Sequence, residues 1–142
     1  MKKKILIFGV VSAIYIIFFP FLYHKVFYKQ YIIEIIPTCE KNKESLGNEV
    51  WINRIIIDGE ESDLSQYILA DGWENRGRLF STGITESNLI LEIHAKETIV
   101  IEFVSHPYSG IVKLQDYNGN VDTVDLYSDT EGYLQREFII YN

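Results

Sequence analysis

Lys2, Lys3 and Lys4 stand directly before an uncharged run from Ile5 to Leu22, and every acidic residue of the chain lies beyond that run. No other feature constrains the fold as strongly. The run is 18 residues long. As a helix rising about 1.5 Å per residue it spans roughly 27 Å, close to a hydrocarbon core of about 30 Å. Tyr23 and the aromatic, lysine-bearing stretch from Val26 to Tyr31 follow it. Such rings suit headgroup level, with Lys25 and Lys29 reaching outward. Pro20 sits near the exit, where a helix stop costs least. A cleaved secretory leader needs a shorter apolar core and small residues after it, whereas Tyr23-His24-Lys25-Val26-Phe27 is bulky throughout. A lipid-modified cysteine is also excluded, because Cys39 follows Ile36-Pro37-Thr38 well outside the run. The expectation is an uncleaved transmembrane anchor within residues 1–30 and a separate domain over residues 31–142. The lysines before the run favour a cytoplasmic N-terminus and an extracytoplasmic domain at the cell membrane.

Composition narrows the domain's partners. Of the 13 Lys and Arg residues, Lys2, Lys3, Lys4, Lys25 and Lys29 precede residue 31, which leaves 8 against all 20 acidic residues and a formal charge of −12. Phosphate backbones are held by basic patches, so nucleic acid is excluded as a partner, and anionic lipid is disfavoured as a docking surface. Cys39 is the only cysteine. Without an intramolecular disulfide the domain must be held by packing, and a cysteine-based zinc site is ruled out by count.

Beyond Gln30 no segment sustains helical apolar spacing, while alternation with period two recurs. Leu89, Leu91 and Ile93 alternate with Ile90, Glu92 and His94; Ile99, Ile101 and Phe103 with Val100, Glu102 and Val104; Val112 and Leu114 with Ile111, Lys113 and Gln115; Val124 and Leu126 with Thr123, Asp125 and Tyr127. Each predicts a strand with one face in a core. Val50–Ile57 is apolar on both faces, as in a central strand. Tyr31–Ile36, Leu134–Tyr141 and shorter pieces at Leu64–Leu69 and Arg78–Ser81 complete the set. Asp58-Gly59, Asp71-Gly72, Asn75-Arg76-Gly77, Asn118-Gly119 and Glu131-Gly132 punctuate them as turns. The predicted fold class is all-β: a jelly-roll-like β-sandwich preceded by one transmembrane helix, with an immunoglobulin-like sandwich as the alternative. The predicted inner faces include Ile52, Leu91, Ile101, Phe103, Val112, Leu114 and Leu126.

Four segments could carry chemistry. Asp116, Asn118, Asn120 and Asp122 alternate like the start of a calcium loop, but Val121 and Tyr127 stand where an EF-hand needs Gly and Glu, so a hairpin turn is expected. Ser105-His106-Pro107-Tyr108-Ser109-Gly110 sets a His between two Ser, yet residues this close in sequence rarely form a triad. A shaped turn that packs Tyr108 on the sandwich is expected instead. His94 and His106 lack ligand spacing, so no metal and no cofactor is assigned. The third segment surrounds Trp51, placed inside a strand and expected in the core. The fourth is the polar loop Trp73-Glu74-Asn75-Arg76, where an aromatic face beside donors and acceptors could stack on a sugar ring. Burial of Trp73 is the competing expectation.

Glu49-Val50-Trp51-Ile52, Asp58-Gly59, Gly72-Trp73-Glu74, Ser81-Thr82-Gly83, His106-Pro107-Tyr108-Ser109-Gly110 and Asp125-Leu126-Tyr127-Ser128 together resemble an accessory extracytoplasmic β-sandwich module of bacterial envelope proteins, as attached to multi-spanning membrane glycosyltransferases. The resemblance covers residues 31–142. It lacks the multi-spanning catalytic portion, so it implies no glycosyl transfer and no catalytic residue. It implies a tethered module that binds envelope glycan or assists a membrane glycosyltransferase. Trp73, Glu74, Asn75, Arg76, His106 and Tyr108 are the candidate ligand contacts. A structural or protein-interaction subunit of an envelope complex is the alternative, and a small envelope hydrolase a lesser one.

Overall fold

The computed structural model describes residues 19–20, 28–84 and 87–140. Most of Ile5–Leu22 therefore lies outside the described residues, and the expected anchor lies there with it. Among the described residues no helix is long and apolar enough to cross a membrane.

The described residues form a two-sheet antiparallel sandwich, as the alternating pattern predicts. Ten strands form it: β1 Lys29–Pro37, β2 Val50–Ile57, β3 Glu60–Glu61, β4 Trp73–Asn75, β5 Leu79–Ser81, β6 Leu89–Ala95, β7 Thr98–Ser105, β8 Ile111–Gln115, β9 Val121–Asp125 and β10 Gly132–Ile139. One sheet has the order β6-β1-β8-β9; the other runs β10-β7-β2-β5-β4, with β3 paired to β2. The consecutive strands β1 and β2 pair with the consecutive strands β6 and β7, one pair in each sheet. Of the expected fold class it is the two-sheet sandwich that stands. Of Leu64–Leu69, expected as a short strand, Leu64–Gln66 is a 3-10 turn, because Asp63 caps it through a bond from Ser65 N to its carboxylate at 2.8 Å.

Alternation builds the core directly. Along β6, Leu89, Leu91 and Ile93 are buried while Ile90, Glu92 and His94 are exposed. The predicted inner-face residues Ile52, Leu91, Ile101, Phe103, Val112, Leu114 and Leu126 are all buried. Two devices close the ends. At the end where β1 begins, Asp58 and Gly59 both adopt positive φ, 51° and 87°, as a tight hairpin turn requires. The Asp58 carboxylate accepts from Lys96 N at 2.9 Å, Glu97 N at 2.8 Å and Thr98 N at 3.1 Å, which ties this turn to the β6–β7 turn. Burial acts to raise the Asp58 carboxyl, but the three backbone donors outweigh it and hold it below its ordinary range. At the opposite end three loops meet around the Asn48 carbonyl. A Cβ on Gly83 would lie 1.8 Å from that oxygen and one on Gly110 2.7 Å, so glycine is required at both contacts.

Candidate functional site

The six-stranded sheet turns one face to the core and the other to solvent, and the outward face holds the site. The face is set by β2. Val50 and Ile52 point inward, the register shifts between Ile52 and Arg54, and Ile55 resumes the inward row. The extra residue is a β-bulge. It leaves Trp51, Asn53 and Arg54 on the outer side.

Glu102 of β7 lies under that bulge, between its cross-strand neighbours Arg54 and Gln135. It is only 3% exposed. Its carboxylate accepts from Asn53 Nδ2 at 2.7 Å, Arg54 Nη2 at 3.0 Å and Gln135 Nε2 at 2.6 Å, and Arg54 Nε sits 2.9 Å from Oε1 as an ion pair. Burial acts to raise the Glu102 carboxyl, but these donors prevail and hold it below its ordinary range. A buried charge is tolerated only when paired and hydrogen-bonded, and both oxygens are so engaged here.

Beside this network runs a chain of aromatic and polar contacts. Arg76 lies over the Phe80 ring, 4.4 Å from its centroid. Phe80 meets Trp51, its cross-strand partner, with centroids 4.2 Å apart. Trp51 Nε1 donates to Glu49 Oε2 at 2.8 Å, and the same oxygen is 3.7 Å from His106 Nε2. His106 Nδ1 accepts from Tyr108 N at 3.1 Å. Tyr108, 51% exposed, ends the row. Arg78 completes the rim, with Nη2 donating to Tyr133 Oη at 3.2 Å and Nη1 lying 3.5 Å from Glu131. An open groove of about 370 Å³ runs over this surface, with Val104 and Pro107 among its lining. Exposed or half-buried rings flanked by fixed hydrogen-bonding groups suit a ligand with one apolar and one polar side.

The predicted site residues fall on both sides of the sheet. Trp73 belongs to the core. Its ring is 5% exposed and its Nε1 donates to Ser87 O at 2.8 Å. Its cross-strand partner is Ser81, on the inward row. A sugar cannot reach that ring, so the burial expectation holds for Trp73 and the stacking expectation does not. Glu74 and Arg76 are on the outer side but pair with each other at 2.7 Å. Asn75 accepts from Gly77 N at 3.0 Å and closes the β4–β5 turn. His106 and Tyr108 do line the groove. Tyr108 is exposed and not packed on the sandwich as expected, because its backbone is held instead, with Glu49 N donating to Tyr108 O at 2.9 Å.

Sequence reasoning missed Trp51. It is half-buried on the outer face, not in the core, because its alternation with Val50 and Ile52 puts it opposite the inward row. That signal was present in the period-two pattern itself. It also missed Glu49, Arg78 and Glu131, which the fold assembles from three separate segments.

The remaining segments are structural. Ser109 is fully buried; its Oγ accepts from His106 N at 3.1 Å and its N donates to His106 O at 3.0 Å. Ser105–Gly110 is thus a shaped turn. The Asp116 carboxylate accepts from Asn118 N at 2.8 Å and Asn120 N at 2.9 Å, closing the expected Asn118-Gly119 hairpin between β8 and β9. Among the described residues no cluster of three or more His, Cys, Asp or Glu is placed to hold a metal ion. No family model, curated protein or solved structure matches the chain.

Proposed function

We propose that this protein is a non-catalytic module, tethered to the cell membrane by Ile5–Leu22 with its sandwich outside the cytoplasm, and that it binds a glycan of the cell envelope in the groove between Trp51 and Tyr108. The observation that carries this reading is the combination on one open surface of accessible aromatic rings with polar groups already held in place. The charge step at Lys2–Lys4 and the length of the apolar run support the tether. Assistance to a membrane glycosyltransferase is the companion reading, supported by the same tether.

A glycan array probed with the full chain in detergent tests the reading. Binding to at least one envelope saccharide, lost in Trp51→Ala and Tyr108→Ala while the thermal melt is retained, is the expected result. Absence of binding to every saccharide removes the glycan. Protease added to intact protoplasts tests the tether: digestion of the domain is expected, and survival until lysis defeats the topology.

A protein-interaction subunit is the second reading. Leu46, 65% exposed, favours it, since its N–H donates to Pro107 O at 2.8 Å beside the groove and an exposed apolar side chain suits a protein partner.

A further inference from the structure

We propose that the groove selects saccharides bearing a free amine over their acetylated or acidic counterparts. The inference rests on the glycan reading above and adds the chemistry of the ligand.

Acceptors outnumber donors in the groove. Glu49 uses Oε2 for Trp51 Nε1, and among the described residues its Oε1 has no partner. Glu131 engages only Oε1, at 3.5 Å from Arg78, and its side chain is 63% exposed. Arg78, the one guanidinium lining the groove, is already turned toward Glu131 and Tyr133. His106 Nδ1 is occupied as an acceptor by Tyr108 N. With His106 counted as neutral, Glu49 and Glu131 against Arg78 make the groove net negative, inside a domain of formal charge −12 by the count above. An anionic sugar meets repulsion there. A neutral sugar can donate its hydroxyls to the same carboxylates but brings no charge to them. An ammonium group supplies three donors and a positive charge, which match the open oxygens of Glu49 and Glu131. The faces of Trp51 and Tyr108 attract the same charge.

Non-specific attraction to an acidic domain is the rival explanation. Glu60 and Glu61 form β3, which pairs with β2 at Ile56 and Ile57, away from the groove, so they serve as the control. Titration calorimetry of the full chain would use three probes: a glucosamine oligomer, the same oligomer N-acetylated, and an oligogalacturonate. The expected order is glucosamine first, N-acetylglucosamine weaker by roughly tenfold, and galacturonate without measurable binding. Glu49→Gln and Glu131→Gln should each erode the preference, and Glu60→Gln with Glu61→Gln should leave it unchanged. Glu131 is exposed enough that its variant keeps the fold even if Glu49→Gln does not. Equal affinity for the amine and the acetamide overturns the selectivity while leaving the glycan reading intact. A preference lost with Glu60 and Glu61 but not with Glu49 and Glu131 also overturns it. Failure of all three probes, together with an empty glycan array, overturns both readings.

Discussion

The two faces of the six-stranded sheet carry one tryptophan each, and the two residues have opposite surroundings. Trp73 comes from a three-residue edge strand bounded by polar turns, yet its ring is buried among core side chains. Trp51 comes from the middle of the sheet, yet it stands half-exposed beside Glu49 and Phe80. Position along the chain, in a loop-like or a strand-like segment, did not decide burial. Parity did. Trp73 shares the inward row with Ser81, and Trp51 shares the outward row with Phe80. The inner face is held mainly by apolar packing, with the Trp73 indole N–H tied to Ser87 O. The outer face is held by a buried carboxylate network with rings leaning beside it.

The largest effect should separate the two tryptophans. Trp73→Ala leaves a cavity in the core and should destabilise by about 3–5 kcal/mol in denaturant unfolding. A loss below about 1 kcal/mol would mean the ring is not packed as described. Next is the outer network. Glu102→Ala strands Arg54, Asn53 and Gln135 without their acceptor. The expected loss is about 2–3 kcal/mol, less than for a fully buried pair because the Arg54 side chain stays 40% exposed. Trp51→Ala should then cost only about 1–2 kcal/mol, in proportion to the half-buried area removed, while abolishing the glycan binding proposed above. If Trp51→Ala unfolds the domain, the contrast between the faces collapses.

The smallest effect is a pH dependence. Glu102 and Asp58 both have folded pKa values below their unfolded ones. The unfolded state therefore binds more protons in acid. Their stabilisation is complete above the unfolded carboxylate range and is lost as pH falls through the folded values. Glu102→Gln should flatten the acid limb of the stability curve, and Asp58→Asn should flatten it independently, since the two groups sit in separate networks.

Much of the sandwich was legible because alternation reports a strand's face whatever its partners. Val50–Ile57 was placed residue for residue, and the turns at Asp58-Gly59 and Asn118-Gly119 followed from residue types that favour positive φ. Of the short strands β5 was legible and two others were not. Glu60–Glu61 and Trp73–Asn75 have two and three residues, too few to show a period, and exist because β2 and β5 offer them edges. Strand order was also hidden, because pairing of β1 with β6 depends on contacts some sixty residues apart. The candidate site was half legible for the same reason. His106 and Tyr108 lie in one turn. Glu49, Trp51, Arg78 and Glu131 come together only through pairings between strands, and the Asn53–Arg54 bulge is marked by no residue type that requires one.

The crowding of Gly83 and Gly110 on the Asn48 carbonyl has a kinetic consequence. Three loops share one oxygen, so none can swing without displacing the others. The segment bearing Tyr108 is one of them, so the groove is presented already shaped. Little ordering remains to be done on encounter. Association of a saccharide should follow a single exponential whose rate rises linearly with ligand concentration, with no slow step at saturation. Differences between sugars should then reside in how quickly they leave. An alanine at Gly110 would free the loops and bring in a rearrangement phase that the parent protein lacks.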